Sequence, residues 1–407
     1  MISHSKNSSL NLADMGVMLI GAWYYVYPLA ALSVNFTFIL ILFLAYVFIA
    51  DFIQYEAIKK RTLQCVFVIA YIALLYVLLT ETRSISAGAG GFEIKRFVSK
   101  FYQIFMMFFP VYLSGRFIQM ATRNEIFTSL VVSLAFIGFV LFNTLKETTT
   151  NVSAARAFGA AAELAEKGVG GYYFVYAVPF LCVFCAIIAS KINKGAKKLI
   201  LYLFTGFLFF FLIKAGYTIS VIITLIGGIS WFWRRIKDAR KKVILILCGC
   251  FIYFLIPPVL NYIASGLSYG EMAVRFREVA TFMTTGDAGY NLGGRFFLYG
   301  ETIKAFFASP VYGNRDLIYD GHATFLTVFA DLGIIGAIPY CCLYAKARQE
   351  ILNLIPQEKE TFNILFMMLV LMGLTNPIHA ALPVMFTLWF VLPLLLHYCS
   401  TYTSKRS

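Results

Sequence analysis

Apolar stretches of about 20 residues recur from one end of this chain to the other, and nothing else constrains its fold as much. About 20 such residues let an α-helix cross the hydrocarbon core of a bilayer. Inside lipid every backbone N–H and C=O must be paired within the protein, which leaves helices or closed barrels. The runs are continuous and do not alternate, so a barrel is excluded. The chain is 60% hydrophobic and 13% charged, against about 45–50% and about 25% for soluble proteins. The sequence therefore predicts an all-α polytopic membrane protein. Residues 1–407 form a single transmembrane domain, with no soluble module of catalytic size.

About 12 transmembrane helices are expected, over roughly 15–32, 35–53, 63–80, 97–114, 126–145, 171–190, 198–213, 215–233, 243–261, 323–344, 362–378 and 381–399. The first two form a hairpin around Ser33 and Val34. The first run is read as a span, since one lysine precedes it and no small-residue cleavage site follows. All eight cysteines fall in apolar runs, so no disulfide framework is expected. Cys182 and Cys185 form a CxxC on one such run and read as packing residues.

A formal charge of +14 would suggest nucleic acid in a soluble protein. Here it is the excess of Lys and Arg on cytoplasmic loops, and no nucleic-acid partner is expected. With the N-terminus inside, 21 of the 34 basic residues fall on inner segments and eight on outer ones. Arg275, Arg277, Arg295, Lys304 and Arg315 are set aside, because long loops carry little weight in this comparison. Both termini are therefore expected in the cytoplasm.

Three outward segments stand out. Lys146 to Gly171 carries Arg156 in an alanine-rich stretch. The tight connection Ile213 to Tyr217 places Lys214 against the charge bias. The loop 262–321, between the ninth and tenth spans, is too long for a plain connection. It contains two amphipathic pieces, Glu271 to Met283 and Arg295 to Ala308, suited to the membrane surface. Thr284 to Gly294 between them reads as a flexible hinge.

The stretch Gly293 to Gly336, GGRFFLYGETIKAFFASPVYGNRDLIYDGHATFLTVFADLGIIG, is the most informative. It begins with Arg295, stops a helix at Pro310, turns, and reaches His322 where an apolar run starts. This pattern resembles the O-antigen polymerase and ligase superfamily, in its arginine–helix–proline segment and its histidine–apolar turn–Gly-x-x-Gly segment. AARAFGAAAELAEKGVGGYYFVYAVPF (Ala154 to Phe180) is similar to the arginine-bearing outer loop of polymerases. KAGYTISVIITLIGG (Lys214 to Gly228) is similar to the cationic start of a later span, but with Thr218-Ile219-Ser220 where many relatives have Ser-Arg. The likeness covers Ala154 to Pro339.

That resemblance implies a GT-C-like membrane glycosyltransferase of the bacterial inner membrane, working on the periplasmic face. Its donor and acceptor are undecaprenyl-diphosphate-linked oligosaccharides, and a chain-length regulator is an implied partner. A polymerase transfers the growing glycan onto the next lipid-linked repeat; a ligase transfers it to lipid A-core. Departure of the lipid diphosphate leaves negative charge, which arginine stabilises through paired hydrogen bonds. Arg295, Lys214 and Arg156 are the expected binders. The acceptor hydroxyl must lose a proton, and His322 is the expected base. Asp320 would orient the imidazole or hold a sugar hydroxyl. No outward acidic pair suggests a metal site, and His322 and His379 are too few for zinc. A metal-independent, cofactor-free enzyme is expected.

Each residue also has a plainer reading. His322 can be a polar cap, Arg295 a headgroup anchor, Lys214 an interface anchor and Arg156 a solvated loop charge. Asp331, about nine residues into its span and roughly 13 Å deep, reads as a structural partner or an intramembrane functional acid. A lipid-linked oligosaccharide flippase, or a proton-coupled transporter using Asp331, is the alternative of a different class.

Overall fold

The computed structural model describes residues 12–26, 56–86, 94–150, 163–164, 167–192, 194–266, 271–314, 323–378 and 381–403. All regular structure among the described residues is helical. In chain order the helices are α1 (Leu12–Val26), α2 (Glu56–Ser86), α3 (Ile94–Met120), α4 (Arg123–Thr150), a one-turn α5 (Tyr172–Val175) and α6 (Val178–Lys191). Then come α7 (Ala196–Ala215), α8 (Thr218–Arg235), α9 (Ala239–Gly266), α10 (Glu271–Thr285) and α11 (Gly289–Ala308). Last are α12 (Thr324–Leu354), α13 (Lys359–Thr375), α14 (Leu382–Phe386) and α15 (Leu392–Tyr398), with π-helical turns after α14 and α15. A helix stands at each expected span except 35–53, which lies outside the described residues. Five helical stretches, 123–149, 172–191, 196–215, 324–354 and 382–401, are long and apolar enough to cross a membrane.

The bundle has an inside and an outside. Of the most apolar window, 78% is buried in 172–191 and 72% in 382–401, against 17% in 196–215. The first two are the core, and α7 turns most of its surface outward. Trp389, Phe362, Phe386 and Phe390 are fully buried there. Backbone satisfaction shapes this core as much as apolar packing does. Pro393 has no N–H, so the Trp389 carbonyl loses its ordinary helical partner. Ser114 on α3 donates its hydroxyl to that carbonyl.

Arg116 departs from expectation. The sequence places it in a short connection; the structure keeps α3 helical to Met120 and buries it. Its Nη2 lies 2.8 Å from Asp14 Oδ1 on α1, with the side chains 7% and 3% exposed. A buried charge persists only when paired, and removing one partner strands the other. Arg116→Leu should therefore destabilise the protein by about 3 kcal/mol, and adding Asp14→Leu should restore most of that loss. Thermal unfolding in detergent measures both; a double variant no better than the single one would refute the pairing.

The long loop 262–321 is, in its described residues, more helical than its composition suggests. The two expected pieces are α10 and α11, and the hinge expected over Thr284 to Gly294 shrinks to residues 286–288. Asp287 Oδ1 accepts the N–H of Gly289 at 3.1 Å, closing the turn into α11. Phe282 and Phe296, with ring centroids 5.4 Å apart, pack α10 against the early turns of α11. Gly293 and Gly294 are consequently carried inside a helix.

α12 is broken. Gly333 has φ 58°, ψ −166° in the middle of it, so the helical bond from Ile334 N to the Ala330 carbonyl is lost. Both groups find partners in the turn after Pro310: Asn314 N donates to Ala330 O, and Ile334 N donates to Pro310 O at 2.8 Å. Ile335 N donates to Val311 O at 3.4 Å. The turn and the break approach so closely that a Cβ on Gly313 would strike the Asp331 carbonyl, and one on Gly333 the Val311 carbonyl. Irregular backbone at membrane depth survives only where protein re-satisfies it, and here residues 310–314 do so.

Candidate functional site

Two arginines act on one another electrostatically where α10 and α11 sit on the bundle. Arg275 comes from α10 and Arg295 from α11, and each is partly buried. Burial, and then the facing Arg295 charge, hold Arg275 below the usual arginine range. Glu278, one turn further along α10, acts on Arg275 in the opposite sense. Among the described residues, however, neither arginine forms an ion pair. Like charges held together without a bridging carboxylate are costly unless an anion fills the gap.

Phenols surround the pair. Arg295 is close enough to act electrostatically on Tyr176 and on Tyr299, and Arg275 on Tyr176. Burial raises the Tyr299 phenol above its ordinary range, and the Arg295 charge opposes this. Tyr217 lies edge-on to Tyr176 with centroids 5.5 Å apart, as does Tyr172. Tyr217 also acts on Arg275. The site is thus two cations over a fan of tyrosines, which offers charge to an anion and rings and hydroxyls to a polar ligand beside it.

The fan is anchored through the end of α13. Tyr176 donates its hydroxyl to Asn376 Oδ1 at 2.7 Å, and Tyr299 donates to the Thr375 carbonyl at 2.8 Å. The Asn376 carbonyl accepts from the Thr324 N–H and hydroxyl, both at 3.2 Å. Thr324 Oγ1 in turn accepts from Ile378 N at 2.6 Å. Asn376 is 2% and Thr324 1% exposed. One buried amide therefore fixes Tyr176 and the first turn of α12, while its neighbour Thr375 holds α11 through Tyr299.

Of the residues expected from the sequence, Arg295 is at this site. Lys214 is exposed, with its ammonium 5.9 Å from the Phe210 ring centroid. The residue of that hairpin close enough to act electrostatically on Arg275 is Tyr217. His322, Asp320 and Arg156 lie outside the described residues, as does His379; the chain resumes at Ala323, next to the Thr324 anchor. Asp331 is half-buried and flanks the break in α12.

Arg275, Tyr176, Tyr217, Tyr299 and Asn376 were not singled out by the sequence. The available signal was an arginine on each of two amphipathic pieces in one loop, together with the tyrosines of GGYYFVY. No protein-family profile and no curated protein matches the chain.

Proposed function

We propose that this chain is a membrane glycosyltransferase using a polyprenyl-diphosphate-linked glycan donor, of the O-antigen polymerase kind. The observation that carries the reading is the Arg275–Arg295 pair, two cations with no ion-pair partner among the described residues and with tyrosines near enough to act on them electrostatically. A diphosphate leaving group matches both charges, and the phenols suit the sugar attached to it. The reaction then needs positioning and charge stabilisation, with the acceptor proton going to His322. Lys214, Arg156 and Asp320 complete the proposed site, and no metal enters the mechanism. The reading includes twelve spans in a GT-C-like arrangement, cytoplasmic termini and a periplasmic site. It also includes the bacterial inner membrane as location and a chain-length regulator as partner.

Deletion in the native host followed by lipopolysaccharide electrophoresis tests this. Loss of a polymerase leaves a single repeat on the core. Bare core with accumulated lipid-linked polymer would assign the ligase reaction instead. One observation favours a second reading: α12 is discontinuous at Gly333 with Asp331 beside the break, and interrupted helices bearing acids occur in secondary transporters. In that case the deletion strain would keep glycan polymerising activity in membrane extracts supplied with lipid-linked repeats.

A further inference from the structure

The opposite end of the bundle carries a second cationic surface that the transfer reaction does not use. Residues 191–198 and 231–242 hold ten basic residues and a single acid, Asp238. The two segments form one surface, because the end of α8 is fastened to the end of α6. Trp231 Nε1 donates to Ser190 Oγ at 3.2 Å, and Arg235 Nη1 donates to the Ser190 carbonyl at 3.4 Å. The acids nearby are engaged: Glu358 pairs with Lys191, and Asp238 Oδ1 accepts the N–H of Arg240 at 2.9 Å.

Aromatic rings are interleaved with these cations. Arg235 lies 4.6 Å from the Trp231 centroid, Lys242 5.4 Å from Trp233 and Lys198 6.0 Å from Tyr202. Directly beyond them, Leu199 and Leu203 on α7, Phe232 on α8, and Val243, Ile244 and Leu247 on α9 are exposed. Cations therefore form a rim, with apolar helix surface continuing from it.

That order of chemistry selects the ligand. A soluble polyanion would use the rim alone and make no use of the apolar helix surface beside it. A phospholipid with a net negative headgroup matches both, with its phosphate among the cations and its acyl chains along the helices. We infer that this end of the bundle is a binding surface for anionic phospholipid. Arg234, Arg240, Lys241 and Lys242 receive the headgroup, and the exposed faces of α8 and α9 receive the chains.

The test uses the full-length protein in detergent, offered phosphatidylglycerol and phosphatidylcholine together, with bound lipid counted by native mass spectrometry. Phosphatidylglycerol should be retained preferentially. The exposed-charge variant Arg234→Gln/Arg240→Gln/Lys241→Gln/Lys242→Gln should lose at least about tenfold of that preference. The corresponding Arg234→Lys/Arg240→Lys variant should keep it. Equal retention of the two lipids by the wild type overturns the inference without any variant, as does an unchanged preference in the glutamine variant. Displacement of phosphatidylglycerol by millimolar inorganic phosphate, or by a short RNA, would make the rim a site for soluble anions and also overturn it.

Discussion

Arg275→Gln combined with Arg295→Gln should weaken binding of a polyprenyl diphosphate by about 10²- to 10⁴-fold. Each charge-assisted hydrogen bond contributes about 1.5–3 kcal/mol, and about 1.4 kcal/mol is a factor of ten. Farnesyl diphosphate is a convenient soluble probe, and titration calorimetry reads the affinity directly. Each single variant should account for about half of the loss on a logarithmic scale. Arg295→Lys should recover little, because a point charge does not reproduce the planar fork.

Stability should move the other way. Burial first, and then the charge of Arg295, hold Arg275 below its ordinary range, so Arg275→Gln should leave thermal stability unchanged or raise it. Weaker binding together with lower stability would instead mean that the guanidinium holds the fold together. His322→Ala separates the roles further. It should leave diphosphate affinity intact while turnover falls about 10²- to 10⁴-fold, as loss of a general base typically does. Unchanged diphosphate affinity in the double arginine variant would remove the anion site and, with it, the main support for glycan transfer.

Gly333→Val should prevent recovery of monodisperse protein. The residue has φ 58°, a region that β-branched side chains essentially do not occupy, and backbone strain of that kind costs about 1–3 kcal/mol. Its Cβ would also strike the carbonyl of Val311, a backbone atom that cannot swing aside. The turn would be expelled, leaving the groups of Ala330, Ile334 and Ile335 unpaired within the bundle. Gly313→Val should fail equally, since its Cβ meets the Asp331 carbonyl from the other side. Size-exclusion profiles after detergent extraction give the answer. Gly206, in the middle of α7 with nothing near its Cβ position, should by contrast accept alanine. A well-behaved Gly333→Val protein would show that the turn and the break are not interlocked.

Helix positions were legible because hydrophobic runs report them directly. α7 and α8 begin and end within a few residues of 198–213 and 215–233. The break in α12 was hidden, because hydropathy is blind to the φ of one glycine. Gly333 stands in an apolar context like that of Gly336 three residues later, yet the one has left-handed backbone and the other does not. Arg116 was misplaced for a related reason. A run of uncharged residues reads as stopping at a charge, unless the distant Asp14 that neutralises it is already known. At the candidate site, Arg295 was singled out by its resemblance to a family pattern. Arg275 was not, since only the packing of α10 against α11 makes a second loop arginine its neighbour. Tyr217 was masked by Lys214, whose charge draws attention while the tyrosine lies near enough to act on Arg275.

The broken helix also imposes an order on assembly. When the segment 324–354 first enters lipid, the carbonyl and N–H groups around Gly333 have no partners of their own. Their partners lie upstream, in residues 310–314, which immediately follow α11. Unpaired backbone groups in hydrocarbon cost several kcal/mol each, so this helix can settle only after residues 310–314 have folded back onto it. α11, which carries Arg295, is therefore part of how the helical bundle completes itself. A molecule that has finished folding has already set one of its two candidate-site arginines in place.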